Sequence, residues 1–363
     1  MSPPSPAAST FLVRGIALAV ALGIWFAPVP EGLTPKAWHL FAIFGAAILS
    51  VILNAFPLLT AAMIALAAAV LTGIVSPAKA FGGFANGSVL LVVVAFLVAR
   101  GVVKSGLGRR LSYMVVAVFG RSTLGLAYSI FVTDAVIAPA FPSNTARGGV
   151  LFPIVLSLAQ SGGSSPEDGT ARRMGAFLMF CGMASLSVSS ALWLTATSAN
   201  PIGVEIGRTF GLSIGFGSWL FAASVPTLVA ILLLPLVLYK IFPPEVKETP
   251  SAPAAAREAL RTMGPLSRDE KVVAVAFVLM VAGWVLAGTL KLDVTAVAFA
   301  GLGALLATSV LTLEDFSREG DTLATFLWLA VLFALSGQLN EMGFMGYVGE
   351  RLAGRLEGVP WPV

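Results

Sequence analysis

Two short polar stretches interrupt a chain that is otherwise strongly apolar. The first is PAFPSNTARGG at residues 139–149, and the second is LTATSANPIG at residues 194–203. Each places hydroxyl and amide side chains beside proline, which removes a backbone donor and disfavours helix for the residue before it. Inside a bilayer, irregular backbone is tolerated only where it lines a cavity or a ligand site. Both stretches are therefore candidate binding sites.

In the first stretch, Ser143, Asn144 and Thr145 stand where two half-helices are expected to meet. The free amides and the dipole at the start of the second half-helix attract an anion. Carbonyl oxygens of the same tip could hold a small cation such as Na⁺, so one tip could bind an anion and a coupling cation together. The alternative is a proline-kinked helix whose polar side chains bond to the backbone or to a neighbouring helix.

Arg147 follows Ser143 by four residues, one turn into the expected second half-helix. A charged side chain inside the membrane is costly and usually functional. Two roles stay open for Arg147. It could supply fixed positive charge to a di- or tricarboxylate or replace one Na⁺, or it could form a structural ion pair with Asp134, the only acidic residue in the first arm of the segment.

The composition places both stretches in a membrane protein. Hydrophobic residues make up 57% of the 363 residues and charged residues 11%, whereas soluble domains carry about a quarter charged residues. The net charge is +4, and the Lys and Arg residues are spread over the connections between apolar segments. This pattern does not indicate nucleic-acid binding. No HExxH, no P-loop, no paired intramembrane carboxylates and no GxSxG with catalytic partners occur, so we expect neither an enzyme nor ATP hydrolysis.

Apolar stretches of about 20 residues predict nine membrane spans. They lie near residues 11–29, 37–54, 58–75, 88–106, 174–195, 216–241, 271–290, 294–312 and 322–341. Segment 122–160 differs because Pro139, Pro142 and two glycines break it in the middle. If it enters and leaves on one side, with the N-terminus in the cytoplasm, most Lys and Arg residues fall inside, as the positive-inside rule requires. The charges therefore predict a re-entrant hairpin.

A weak internal repeat relates residues 71–108 to residues 307–346. In both, an apolar span leads through a short polar loop with a Phe to a long span that ends on a Gly-apolar-Gly element. The predicted topology places the first loop outside and the second inside, and inverted repeats with interrupted helices are typical of secondary transporters. The alternative is a chance similarity of two apolar stretches. The second copy stops before any counterpart of the polar stretches, so we expect the chain to be C-terminally incomplete.

The stretches PAFPSNTARGGVLFPI and TATSANP resemble the divalent anion/sodium symporter family. They are most similar to its branch of bacterial citrate, tartrate and succinate exchangers and plastid 2-oxoglutarate/malate translocators. The resemblance covers nearly the whole chain. It implies an all-α polytopic membrane protein, an inverted-repeat, elevator-type transporter that forms a homodimer. A scaffold of outer spans would carry a mobile transport domain with two re-entrant hairpins, of which this chain holds the first, because its second repeat is truncated.

The resemblance also implies the site residues. The predicted substrate site contains Ser143, Asn144, Thr145, Thr197, Asn200 and Pro201, and also Arg147, which departs from the family pattern and is included on the hypothesis that it supplies fixed positive charge. In it, the Ser-Asn-Thr tip binds a carboxylate, and the Asn-Pro pair matches the loop that closes the pocket. The predicted site for a coupling Na⁺ consists of Ser143, Asn144 and the backbone at Ala196.

The resemblance and the charge pattern together predict five parts of the chain. They are a cytoplasmic N-terminus at 1–10, scaffold spans 1–4 at 11–110, half of a transport domain at 111–241 with hairpin 122–160 and broken helix 174–209, a cytoplasmic linker at 242–270, and the start of an incomplete second repeat with scaffold spans at 271–363.

The expected function is secondary active transport of succinate, malate, 2-oxoglutarate or citrate across the bacterial inner membrane, by anion exchange or with Na⁺. No cofactor is expected apart from Na⁺ as a coupling ion. The expected partners are a C4–C6 carboxylate, membrane lipid and a second copy of the chain, and no nucleic acid. Two alternatives stay open: a non-transporting truncated chain, and a carrier of an inorganic anion or a metal–citrate complex with a related fold.

Overall fold

The computed structural model describes residues 6–317 and 320–356, which form helices and their connections. The predicted N-terminal part and the predicted second repeat are therefore seen without residues 1–5, 318–319 and 357–363, which lie outside the described residues. Six of the described helices are long and apolar enough to cross a membrane. With the composition, this makes the chain an all-helical, polytopic membrane protein.

In chain order the helices are α1 Pro6–Phe26, α2 Pro35–Ile52, α3 Leu58–Leu71, α4 Pro77–Phe81, α5 Gly87–Ser105, α6 Leu107–Phe119, α7 Thr123–Ile137, α8 Asn144–Ser161, α9 Gly175–Leu192, α10 Ala199–Thr209, α11 Phe216–Ile241, α12 Ala252–Met263, α13 Arg268–Val285, α14 Ala287–Leu290, α15 Val294–Ala307, α16 Leu313–Ser317, α17 Gly320–Glu341 and α18 Phe344–Leu356. Short 3₁₀ turns lie at Gly82–Ala85 and Ala138–Ala140. All nine predicted spans coincide with helices whose ends agree to within five residues.

Polar residues at the starts of the spans set where the helices begin. The Thr34 hydroxyl accepts a 3.2 Å hydrogen bond from Ala37 N at the start of α2. Asp293 accepts a 2.7 Å bond from Ala296 N at the start of α15. At α13, Ser267 and Glu270 form a reciprocal capping box. Each cap satisfies a first-turn donor that the helix itself leaves unpaired, and so fixes the first turn at the end of an apolar span.

The chain divides into two compact units, and the division falls near the start of α5. The first unit contains residues 1–90 and 320–363, and the second contains residues 91–319. In the first unit, α2, α3 and α17 enclose a core with Leu40, Ala65 and Leu335 at its centre. The 3₁₀ turn at Gly82–Ala85 also packs on α17, and only glycine fits at Gly83, where a Cβ atom would lie 2.0 Å from Ala330 O.

The second unit holds two hydrophobic cores. One core joins α5, α13 and α15, and the aromatic rings of Phe216 and Trp284 meet within it at 5.4 Å. The other joins α7, α9 and α11, with Phe131 and Phe177 fully buried. Phe141 and Leu194, from the two polar stretches, belong to the first of these cores.

Segment 122–160 is broken where the prolines predict it. Helix α7 ends at Ile137, a 3₁₀ turn follows, and α8 begins only at Asn144. Phe141 and Ser143 between them have extended backbone. Because proline cannot donate to a helix ladder and restricts its predecessor, the sequence Pro-Ala-Phe-Pro ends the first arm and allows a second one to start.

Both ends of this segment lie beside one short stretch, residues 245–249. Thr123 N donates to Lys247 O at 3.0 Å at the start of α7. Val246 N donates to Arg173 O at 2.9 Å in the loop that follows α8. Five extended residues span at most about 18 Å, which is well below the thickness of the hydrocarbon core. The start of α7 and the loop that follows α8 therefore lie close together, and the re-entrant hairpin stays a prediction.

The connection at 242–270 contains an element that its polar, Pro-rich sequence does not predict. Its residues 252–263 form helix α12, which buries Ala252, Pro253 and Ala256 against α6. Arg110 of α6 forms a buried ion pair with Glu270 at 2.6 Å. Helix α6 itself was not predicted either, because its apolar residues occupy only one face. The connection at residues 242–270 is thus packed against the rest of the second unit along its length, and we call it the strap.

Candidate functional site

The two polar stretches, 55 positions apart in the chain, meet in the structure. The Thr195 hydroxyl donates to Pro139 O at 2.8 Å, and Ser198 N donates to Pro142 O at 3.0 Å. The carbonyls of the broken segment are thereby partly satisfied by the second stretch, as a non-helical backbone in the membrane requires. The predicted residues of both stretches consequently belong to one site.

The tip of the hairpin presents donors at the start of α8. The Ser143 hydroxyl accepts from Ala146 N at 3.3 Å and so caps the helix. Asn144 and Thr145 are exposed, and their backbone N–H groups belong to the first turn, where the helix supplies no acceptors. Helix amides, an amide side chain and a hydroxyl are therefore grouped at one exposed point, which suits an anionic ligand.

Arg147 is completely buried beneath this tip. Its Nε lies 2.8 Å from Oδ1 of Asp134, which is equally buried. The other oxygen of Asp134 accepts a hydrogen bond from the hydroxyl of Ser189 on α9. The structure therefore contains the ion pair with Asp134, which was one of the two roles predicted for this arginine. Neither charge is exposed to solvent.

The remaining guanidinium N–H groups of Arg147 bond to neutral oxygens of the site. Nη1 donates to Ala196 O at 3.2 Å, and Nη2 donates to Asn144 Oδ1 at 3.0 Å. Nη2 also lies 2.6 Å from Leu186 O and 2.8 Å from Ser190 Oγ. Two of the oxygens that were predicted to hold Na⁺, those of Asn144 and Ala196, thus receive hydrogen bonds from a guanidinium group.

These contacts determine which way the Asn144 amide faces. Its Oδ1 accepts from Arg147 Nη2 and from the Ser190 hydroxyl, which lies 2.5 Å away. Since the amide oxygen is turned inward, the amide nitrogen with its two N–H donors is turned toward the exposed side. The orientation of an amide follows from such a network of partners. The Asn144 amide therefore offers donors, and not its acceptor, to a ligand.

The remaining predicted residues support the loop that faces the tip. Asn200 Nδ2 donates to Ser190 O at 2.8 Å and to Trp193 O at 3.0 Å, and so satisfies carbonyls at the end of α9. Pro201 is buried in the first turn of α10, and Thr197 is half-buried beside Ala196. The predicted Asn-Pro pair thus has a local structural role in shaping this loop.

A groove of about 640 Å³ extends from the tip between α8 and α9. Its polar end is formed by Asn144 and Thr145. The remainder is lined by glycines and apolar side chains, namely Gly148, Gly149, Leu151, Phe152, Val155, Met179, Gly182, Met183 and Leu186. The volume falls within the range of small-molecule sites in proteins.

Two serines of α9 belong to the site although the predicted site residues do not include them. Ser189 and Ser190 bond to Asp134 and Asn144 at the centre of the site. Their spacing carries a signal, because Ser185 and Ser189 are four residues apart and so share a helix face. The partner of that face is a residue of α7, 55 positions earlier, and no local pattern identifies it.

Comparisons with known proteins identify the family of the chain. The family model described as "Sodium:sulfate symporter transmembrane region" matches residues 8–363. Over 350 residues, 43% are identical to the "Putative malate transporter YflS" of Bacillus subtilis, covering 96% of this chain and 73% of that protein.

Two further relatives come from a plant and from Escherichia coli. "Dicarboxylate transporter 1, chloroplastic" of Spinacia oleracea is 41% identical over 331 residues, 91% of this chain and 58% of that protein. "Inner membrane protein YbhI" of Escherichia coli is 33% identical over 341 residues, 92% of this chain and 71% of that protein. The chain thus spans less than two thirds of the plant relative. Since the family model covers nearly every residue, the chain belongs to the sodium:sulfate symporter family, and the resemblance to divalent anion/sodium symporters is confirmed.

Proposed function

We propose that the protein carries di- or tricarboxylates of four to six carbons across the membrane by anion exchange. The observation that carries this proposal is the grouping of Asn144, Thr145 and the first turn of α8 above a buried Arg147. The names of relatives that share 37 to 43% of their residues with this chain include malate and dicarboxylate transporters, which supports the substrate class.

The tip recognises a carboxylate by donating hydrogen bonds. The amide nitrogen of Asn144, the hydroxyl of Thr145 and the first-turn N–H groups of α8 are all donors, and carboxylate oxygens are acceptors. Thr197, which is half-buried in the second polar stretch, adds a further hydroxyl to the proposed site. The apolar groove accommodates the carbon chain of the substrate. These donors are uncharged, so binding stays weak enough for release on the other side.

The position of the Arg147 guanidinium favours exchange over Na⁺ symport. A symporter couples its two fluxes because a dissociable cation organises the substrate site. Here Asn144 Oδ1 and Ala196 O are bonded to a covalently fixed cationic group. Because this group cannot leave, the tip is organised with or without Na⁺, and the driving force comes from the counter-substrate.

The inverted repeat and the elevator motion remain part of the proposal. Helices α3 to α6 follow one another as α15 to α18 do. Gly73 and Ser309 have left-handed backbone after the first helix of each set, with φ of 69° and 59°. Gly106 and Gly343 end the long helix of each set, with φ of 80° and 82°. This correspondence supports two copies of one fold, of which the hairpin-bearing part moves. The homodimer and the bacterial inner membrane follow from the family in the same way.

A second candidate substrate is an inorganic anion, because the family description names sulfate. The donors of the tip would also bind sulfate oxygens. The groove argues for the carboxylate, since beyond its two polar residues it is lined by glycine and apolar side chains that suit a carbon chain. Competition between the two anions separates the candidates.

The test is counterflow in proteoliposomes loaded with unlabelled succinate. Uptake of labelled succinate is followed with and without Na⁺, for the wild type and for Asn144→Ala. Asn340→Ala, which alters an amide on α17 in the other unit, is the matched control. We expect Na⁺-independent uptake that Asn144→Ala abolishes and Asn340→Ala retains.

Other outcomes would support one of the alternative functions. Uptake that needs Na⁺ would replace exchange by symport. Uptake of labelled sulfate that succinate does not inhibit would favour the inorganic-anion carrier. Binding of succinate without any uptake would favour a non-transporting chain.

A further inference from the structure

We propose that Asp134 determines the charge class of the anion that the tip accepts, by neutralising Arg147. The inference rests on the proposed function, because it concerns the substrate of the same site. Asp134 lies beneath the tip and away from the exposed donors. The inference gives it the role of a specificity-determining residue. In this role the ion pair makes the site selective for dianions over trianions.

The first observation is that, among the residues that the structure describes, Asp134 is the only negative group at ion-pair distance from Arg147. Both side chains have no exposed surface, and Nε and Oδ1 are 2.8 Å apart. The other four contacts of the guanidinium are carbonyl, amide and hydroxyl oxygens, which are neutral. The charge of the arginine is therefore compensated by one carboxylate, and the pair as a whole has no net charge.

The second observation is the orientation of the pair. The guanidinium contacts Asn144 at the tip, whereas the carboxylate is bonded to Ser189 on the other side. The pair is thus a dipole whose positive end faces the ligand. An anion at the tip is attracted by this end and repelled more weakly by the distant one. The net attraction is smaller than that of an uncompensated unit charge.

Coulomb attraction grows with the product of the charges. Neutralising Arg147 therefore weakens the attraction of a trianion more than that of a dianion. One additional positive charge near the tip would favour a trianion over a dianion, because each charge of the ligand contributes. With the arginine neutralised, this advantage is small. The trianion must still lose more hydration on entering the apolar groove, and it is therefore disfavoured.

The substitution Asp134→Asn removes the charge and keeps the shape. The new amide oxygen can take the place of Oδ1 beside Arg147 Nε. The Ser189 hydroxyl lies 2.7 Å from Ser185 O and therefore has an acceptor without the carboxylate. We expect the affinity for citrate relative to succinate to rise by about tenfold, at mildly alkaline pH where citrate is a trianion.

The matched control is Glu270→Gln. It makes the same carboxylate-to-amide change beside a buried arginine, Arg110, whose contacts are with Glu270 and with carbonyls of residues 263–265. We expect the ratio of the two dissociation constants to stay at the wild-type value. An equal shift in the control would overturn the inference, since the effect would then not come from the tip.

A second variant tests the inference if Asp134→Asn does not fold. Asp134→Asn with Arg147→Gln removes both charges, so that no uncompensated charge is buried. The positive end of the dipole is then lost, and the citrate-to-succinate affinity ratio should fall below that of the wild type. A ratio at or above the wild-type value would contradict the inference.

The measurements also separate this inference from the proposed function. Binding of labelled succinate and citrate is measured for the purified wild-type protein first. Binding of neither acid would reject the proposed function. Binding of succinate, together with an unchanged ratio in folded Asp134→Asn, would reject the role of Asp134 and leave the proposed function intact.

Discussion

Arg147 Nη2 donates a hydrogen bond of 3.0 Å to the side-chain oxygen of Asn144. The bond connects the one buried cation of the hairpin to the exposed amide at its tip. It turns the amide nitrogen outward, where it can donate to a ligand. The arginine therefore acts in this structure through Asn144, and its direct contact with a carboxylate, which the sequence offered as one of two roles, stays a prediction.

Ser190 helps to fix the orientation of the Asn144 amide, because its hydroxyl also bonds to Asn144 Oδ1. We expect Ser190→Ala to raise the KM for succinate by about fivefold with little change in kcat, as loss of about one neutral hydrogen bond implies. Ser190→Thr, which keeps the hydroxyl, should restore the KM. Counterflow at varied succinate concentrations measures both. Ser187→Ala, an exposed serine on the same helix, is the control, and an equal rise there would contradict the role of Ser190.

Arg147→Ala should destabilise the protein and create a cation site. Breaking a buried ion pair lowers the free energy of unfolding by about 3–5 kcal/mol, because Asp134 is left uncompensated. The carboxylate and the oxygens of Asn144 and Ala196 would then surround a space. We expect Na⁺, compared with choline, to raise the melting temperature of the variant and not of the wild type. Equal effects on both proteins would show that the guanidinium does not replace a cation.

Arg110 fastens the strap to α6. Its Nε is 2.6 Å from Glu270, and Nη1 donates to Gly264 O at 2.9 Å. Arg110→Ala should cost about 3 kcal/mol of unfolding free energy, since it leaves a buried carboxylate without its partner. Limited proteolysis should then cleave residues 245–265 faster. The exposed neighbour Arg109→Ala should leave the cleavage rate unchanged, and faster cleavage there would point to a general charge effect.

Gly83 should tolerate no side chain. A Cβ atom there would lie 2.0 Å from Ala330 O, whereas nothing lies within 4 Å of a Cβ atom at Gly82. We expect Gly83→Ala to lower the unfolding free energy by about 1–3 kcal/mol through overpacking. Gly82→Ala should have an effect near zero. Thermal unfolding in detergent measures both, and similar values for the two variants would argue against close packing of this turn on α17.

Asp315 should make stability depend on acid pH. Hydrogen bonds from Lys104 and Thr312 lower the pKa of Asp315 to about 2, whereas a free aspartate has a pKa of about 3.9. The folded protein therefore holds this proton more weakly than the unfolded chain. The resulting stability is present above pH ~4 and is lost as the pH falls toward ~2.

The substitution Asp315→Asn should consequently lower the melting temperature at neutral pH. The difference from the wild type should shrink as the pH falls below ~4, because the wild-type carboxylate is then protonated as well. Melting curves across this pH range test the prediction. A difference that stays constant with pH would mean that the side chain contributes packing and not charge.

The sequence by itself determined the elements. Apolar runs of membrane length fix the spans from α1 to α17, because the hydrocarbon core has a defined thickness. Pro139 and Pro142 fix the break in the hairpin, because proline cannot donate within a helix. The side chains of the tip, Ser143 to Thr145, follow from the same break, since a new helix must begin there with unpaired amides.

Only the tertiary structure decided what the polar side chains do. The sequence left Arg147 with two roles, and it did not predict Ser189 and Ser190 as site residues. Their partners come from α7, α9 and the second polar stretch, up to 55 positions apart. The strap helix α12 was unforeseen as well, because its contacts are with α6. Periodicity along the chain reports which face of a helix is apolar, but a hydrogen bond between distant segments depends on how the helices pack together.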